Sequence, residues 1–217
     1  MDTETVRSLL IPLHAVLGIV ALISGMTALL LRKERGRHTQ FGIAFFGFLM
    51  AAIAASLPVI VLSQNIFLGG LGAVALYLAI MGYRIGRLRP PQAAPTNTDH
   101  ACVWLGLMAF SLFALLGLWV VQTGQLLGAV MVFLGGLGVK SAWKHRRFFA
   151  DPEGDLESWM EHHGGTLGGA IVASSIAFSA ATLTNLLPDF PEWILWVAPV
   201  VLLAPVVGKQ VKRGTSA

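Results

Sequence analysis

The sequence predicts an all-α fold: a polytopic membrane bundle of seven transmembrane helices, built as one leading helix and three hairpins, with the N-terminus outside and the C-terminus in the cytoplasm. Three observations predict it. Of 217 residues, 55% are apolar and only 12% are charged, against about 25% charged in a typical soluble domain. The apolar residues gather into seven runs near the roughly 20 residues that a helix needs to cross a hydrocarbon core about 30 Å thick. The lysines and arginines are segregated: if seven spans alternate, all but Arg7 of the 15 fall on one side of the membrane. Together these exclude a soluble enzyme and a disordered chain, and Cys102, the only cysteine, excludes a disulfide framework.

The first span covers residues 9–31. Its basic cluster, Arg32, Lys33, Arg35 and Arg37, follows the apolar run, whereas a cleaved signal peptide places its positive charge ahead. A retained helix with its N-terminus outside is therefore expected. The second span, 41–62, contains Pro58, and the seventh, 193–208, contains Pro199 and Pro205, so both are expected to kink. The third span is 66–83 and the fourth 101–121. The fifth, 126–143, is strictly apolar only to Val139 and lengthens through Lys140 to Trp143, whose long side chains reach the interface. The sixth is 166–187. These runs are apolar all round, so they are not barrel strands, which alternate apolar and polar residues.

The gaps sort by charge. Arg84, Arg87 and Arg89 follow span three, Lys140, Lys144, Arg146 and Arg147 close span five, and Lys209, Lys212 and Arg213 close span seven. Gaps 63–65, 122–125 and 188–192 carry no positive charge. The positive-inside rule assigns the basic side to the cytoplasm, and the expected location is the plasma membrane, in bacteria the inner membrane. The net charge of +4 thus marks a membrane face, and nucleic acid is not an expected partner. The lipid bilayer is. The chain reads as a single transmembrane domain, 1–217. Its longest connector, 144–161, runs from a basic half into five carboxylates. Two readings stand: an ordinary solvated loop, or a surface segment with Phe148, Phe149, Trp159 and Met160 in the interface and Asp151, Glu153, Asp155 and Glu157 in water.

His38, His100 and His162 precede the even-numbered spans at intervals of 62 residues, describing a hairpin repeat. At a helix N-terminus the macrodipole disfavours imidazolium and leaves a neutral ring able to ligate. With His163 they are four imidazoles at one depth. If spans two, four and six adjoin, they hold a divalent metal or give two axial ligands to haem, with arginines for its propionates. The bland alternative is that an interfacial histidine simply ends an apolar span. No His-x-x-x-His, His-Glu-x-x-His or Cys-x-x-Cys spacing is present. Asp99 and Glu161 are expected as N-caps.

His14 lies inside span one, about 9 Å past its outer end at roughly 1.5 Å per residue. A ring at that depth needs a partner, and Gln64, Gln122, Gln125 and Asn185 are the candidates. Ser175, Ser179 and Thr182 share a face of span six and lead toward Asn185 and His14, which defines a candidate pocket. The structural alternative is that each hydroxyl bonds the carbonyl four residues back. Span six also carries Gly164-x-x-x-Gly168 and Gly165-x-x-x-Gly169, small-residue motifs that place it at the centre of the bundle.

Three stretches, His14-Ala15-Val16-Leu17-Gly18, His38-Thr39-Gln40-Phe41-Gly42 and Glu161-His162-His163-Gly164 with Leu167-Gly168-Gly169, resemble a family of bacterial multi-span membrane proteins catalogued as a domain of unknown function. The resemblance covers most of the chain and singles out His14, His38 and His162. It implies no established reaction. Thr166 and Ala170 stand where that pattern has a methionine and an aromatic, which weakens a haem ligated by histidine and methionine.

Three functions follow. The first is a redox or metal protein binding haem or a divalent ion through His38, His100 and His162, with His163. The second is a small-molecule carrier with a pocket of His14, Ser175, Ser179 and Asn185. The third is a non-catalytic subunit or assembly partner of a membrane complex, or a homo-oligomer. No acidic residue lies within a predicted span, which disfavours cation coupling. Enzyme activity is left open: no phosphate loop or Gly-x-Ser-x-Gly elbow is present, and a zinc hydrolase built on His38, Asp99, His100 and His162 is a minor alternative.

Overall fold

A computed structural model describes residues 3–33, 36–88, 94–150 and 156–215. Asp151, Glu153 and Asp155 of the long connector, and the side chain of Asn185 from the expected pocket, lie outside the described residues. The elements are α1 (Thr3–Leu30), α2 (Arg37–Ser63), α3 (Ile66–Arg87), α4 (Asn97–Gln122), α5 (Leu126–Ala150), α6 (Leu156–Phe178), a π-helical turn (Ser179–Leu183), α7 (Thr184–Leu186) and α8 (Glu192–Thr215). Among the described residues there is no strand, and seven helical stretches are long and apolar enough to cross a membrane, the sixth running from α6 through the π turn. In lipid the backbone has no water to bond, so an apolar run closes its own hydrogen bonds as helix.

Tight turns join the hairpins where the sequence supplies the chemistry. Gln64 closes α2 in the left-handed region at φ 52°, and the Asn65 side chain caps α3 by accepting from the Leu68 amide at 2.9 Å. Gly124, at φ 78°, turns α4 into α5. Pro58, Pro199 and Pro205 leave α2 and α8 uninterrupted.

Helix ends depart from hydropathy most in the second half. The fifth helix continues to Ala150 and the sixth begins at Leu156, ten residues before the apolar run. Hydropathy stops at Lys144 and at Glu161-His162-His163, but helical hydrogen bonding does not depend on polarity. The surface-segment reading of 144–161 is thereby overturned for its aromatic residues. Phe149 is 4% exposed, Phe148 stacks on His162 with centroids 4.5 Å apart, and the Trp159 indole donates to the Ile85 carbonyl at 2.6 Å. The N-cap expectations change as well. Thr96 caps α4, and Asp99, three positions on, closes a capping box with it. Glu161 is exposed within α6 and faces Lys144 at 3.9 Å, a solvated pair of little energetic weight.

Helices α3 and α6 form the centre, flanked by the α1/α2 and α4/α5 pairs, with α8 against α6. Lipid removes the hydrophobic drive between helices, so close approach at small residues must supply the attraction. Gly164-x-x-x-Gly168 faces α8, where a Cβ on Gly164 would stand 3.1 Å from Val211 and one on Gly168 would overlap Val207. In the α4/α5 pair a Cβ on Gly135 would meet the Ala114 backbone nitrogen at 2.8 Å. Phe45, Leu71, Met81, Ile85, Phe110, Met131 and Ile176 are buried between helices, whereas Val61, Leu105, Leu115 and Leu202 are exposed on the outside. That apolar exterior suits a lipid solvent.

Candidate functional site

At the basic end of the bundle, the C-terminal halves of α1 and α3, the N-terminal halves of α2 and α6 and the end of α8 enclose a cavity of about 790 Å³. Its polar lining includes Lys33, His38, Tyr83, Arg87, Trp159 and His163, and its apolar lining includes Phe45, Leu167 and Ile171. Among the described lining residues there is no carboxylate.

The turn between α1 and α2 sets one wall. Gly36 precedes α2 at φ 117°, a conformation only glycine adopts without strain. The chain then folds back so that the His38 Nδ1–H donates to the Ala28 carbonyl at 2.9 Å, while Lys33 Nζ donates to the Leu29 carbonyl at 2.6 Å and the Ala28 carbonyl at 3.3 Å. These carbonyls end α1 and lack partners of their own, so the lysine and the imidazole satisfy the negative end of the helix. Burial pushes the Lys33 amine below its usual pKa.

The opposite wall is α3 against α6. The His163 Nδ1–H donates to the Gly82 carbonyl at 2.9 Å, and the ring stacks on Trp159 with centroids 5.5 Å apart and planes 9° from parallel. It lies on Gly86, where a Cβ would stand 2.6 Å from His163 Cε1. Because a carbonyl only accepts, Nδ1 is the donor in both His38 and His163, and each neutral ring keeps its lone pair on Nε2. Tyr83 stacks on Phe46 at 4.3 Å and accepts from Arg87 at 2.8 Å, the guanidinium lying 5.6 Å from the tyrosine ring centre.

The other expected residues are placed elsewhere. His100 is exposed and meets Phe149 edge-on at 5.7 Å. The His162 Nδ1–H donates to Ser158 within α6 at 2.8 Å. Neither lines the cavity. Equal spacing puts His38, His100 and His162 at one end of the bundle but not on converging faces, and successive residues on a helix point roughly 100° apart. His163 therefore faces α3 while its neighbour His162 faces Phe148. Among the described residues no three His, Cys, Asp or Glu side chains gather as a metal-binding group.

The His14 Nδ1–H donates to the Ala52 carbonyl of α2 at 2.8 Å, a main-chain partner in place of the expected glutamines. Ser175 bonds the Ile171 carbonyl four residues back at 2.9 Å, and Ser179 is buried in the π turn. None of the three lines the cavity at the basic end or the one at the opposite end, between α3, α5 and α8.

Two polar pairings were not foreseen from sequence, although Asp99 itself was expected as an N-cap. His145, 3% exposed, pairs through Nδ1 with the Tyr77 hydroxyl at 2.9 Å and through Nε2 with Thr166 Oγ1 at 2.8 Å, joining α3, α5 and α6. Arg84 grips Asp99 with two bonds, 2.6 and 2.8 Å, and Asp99 also accepts from the Thr96 amide at 2.8 Å while 1% exposed. A signal for His145 existed: Gly135, Gly138, Ala142, His145 and Phe149 recur at steps of three and four, the buried stripe of α5.

The chain matches no family model, no curated protein and no solved structure.

Proposed function

We propose that this is an integral protein of a bacterial inner membrane, with its N-terminus outside and its basic end in the cytoplasm, that binds an amphipathic anion in the cavity at that end. One observation carries the reading. Lys33, His38, Arg87 and His163 share a cavity with Phe45, Leu167 and Ile171, and no described carboxylate accompanies them. Cations beside an apolar wall favour a molecule with a negative head and a greasy body. The volume, about 790 Å³, falls within the roughly 300–1,000 Å³ of small-molecule sites. The clustering of basic residues at one end supports the orientation.

The test uses full-length protein in phosphatidylcholine nanodiscs and the fluorescent carboxylate dansyl undecanoate. Saturable binding that is several-fold tighter than for its methyl ester is expected, and Lys33→Met with Arg87→Met should abolish that preference. Equal binding of acid and ester would overturn the reading.

A further inference from the structure

We infer that the anion is haem, held with His38 and His163 as its axial donors. The inference rests on the amphipathic-anion reading of the cavity and gives that anion a chemical identity. A lipid or fatty acid would account for Lys33 and Arg87, but it would leave two imidazoles in the same cavity without a purpose. Both rings have their Nδ1–H fixed by a main-chain carbonyl, Ala28 for His38 and Gly82 for His163. An outer bond of this kind selects the tautomer, sets the ring plane and makes Nε2 a better ligand. Neither Nε2 has a hydrogen-bond partner among the described residues. His145, by contrast, spends both nitrogens on hydroxyls and is closed to ligation.

Donor number separates haem from a bare metal ion. Zinc takes three or four protein ligands, and among the described residues no such group of His, Cys, Asp and Glu forms. Iron in a porphyrin already has four nitrogens and asks the protein for one or two more, commonly imidazole. Two is what this cavity offers.

His38 is followed one helical turn later by Gly42, where a Cβ would meet nothing within 4 Å, so α2 presents an imidazole above an open face. His163 is braced from behind by Trp159 and by the absence of a side chain on Gly86. Lys33 and Arg87 supply cations for two propionates, and Tyr83 holds the Arg87 guanidinium. The 62-residue histidine series therefore contributes one member, His38, and the second donor is His163, the neighbour of the third.

The experiment titrates hemin into the purified full-length protein in detergent, following the Soret band. Saturation at one hemin per chain with a six-coordinate, low-spin spectrum is expected. Removing an outer-sphere partner of a metal ligand commonly costs 10–100-fold in affinity, so His38→Ala and His163→Ala should each cost at least about tenfold. Each should also turn the spectrum five-coordinate and high-spin, and added imidazole should restore the low-spin form. Both variants should elute as the parent does and still bind dansyl undecanoate, which shows that the cavity is intact. Three outcomes overturn the haem assignment: no saturable hemin binding while dansyl undecanoate still binds, a spectrum indifferent to both substitutions, or one lost instead in His100→Ala or His162→Ala. Failure of both probes would overturn the cavity reading with it.

Discussion

Replacing His145 with leucine tests what binds the α4/α5 pair to the centre of the bundle. The imidazole is 3% exposed, and its loss removes bonds of 2.9 and 2.8 Å to Tyr77 and Thr166. A net hydrogen bond between transmembrane helices averages about 0.6 kcal/mol and reaches about 1.7. Two such bonds make about 1.2 kcal/mol. The larger effect is what remains behind. A buried hydroxyl left without a partner costs about 1–3 kcal/mol, and the two stranded groups differ. Thr166 sits within α6 and can turn to the carbonyl four residues back, as Ser175 already does. Tyr77 has no such recourse, since its hydroxyl is far from its own backbone and its ring is held edge-on against Phe110. His145→Leu is therefore expected to lose about 2–4 kcal/mol, chiefly through Tyr77. Adding Tyr77→Phe should then recover about 1 kcal/mol or more, although Tyr77→Phe alone destabilises. Unfolding in mixed SDS micelles, followed by circular dichroism, reads all four corners of this cycle. If the double variant is no more stable than His145→Leu, the stranded hydroxyl is not the source of the loss.

Two further outcomes follow from the same structure. Arg84→Met should cost about 3–5 kcal/mol because it leaves the buried Asp99 carboxylate without its cation, whereas Asp99→Asn, which leaves an Arg84 side chain 36% exposed to water, and replacement of both by apolar residues should each cost clearly less, by the same unfolding assay. Adjacent glycines of α5 should respond oppositely: Gly135→Ala is expected to destabilise by about 1–3 kcal/mol because its Cβ meets the Ala114 main chain at 2.8 Å. Gly136→Ala, with nothing within 4 Å, should be neutral or gain up to about 1 kcal/mol in helix propensity. Equal effects at the two sites would refute the α4/α5 packing.

Most of the architecture was legible in the sequence because the solvent imposes it. Seven apolar runs in lipid have one backbone solution, and Asn65 and Gly124 mark the turns between them. What hydropathy misplaced were the ends of the fifth and sixth helices, where Lys144, His145, Glu161, His162 and His163 interrupt apolar composition without interrupting the helix. The site was half legible. His38 and His163 were both singled out, but as members of a four-histidine group that includes His100 and His162. His145 was overlooked because it sits among Lys144, Arg146 and Arg147, which read together as a solvated basic cluster. Its buried neighbours at steps of three and four told otherwise.

Composition, run length and the placement of basic residues determined by themselves that the chain is an all-helical bundle with seven membrane-length helices and two unlike ends. Those properties depend on how many residues in a row avoid water, and a sequence states that directly. Which histidines share a cavity was decided only by the tertiary structure. That choice depends on the rotation of each helix about its axis. The rotation is set by contacts between distant segments, Gly82 on Leu167, Gly86 on His163 and Gly168 on Val207. A single residue step along α6 turns a side chain from Phe148 to the cavity, and a regular spacing of 62 contains no information about that turn.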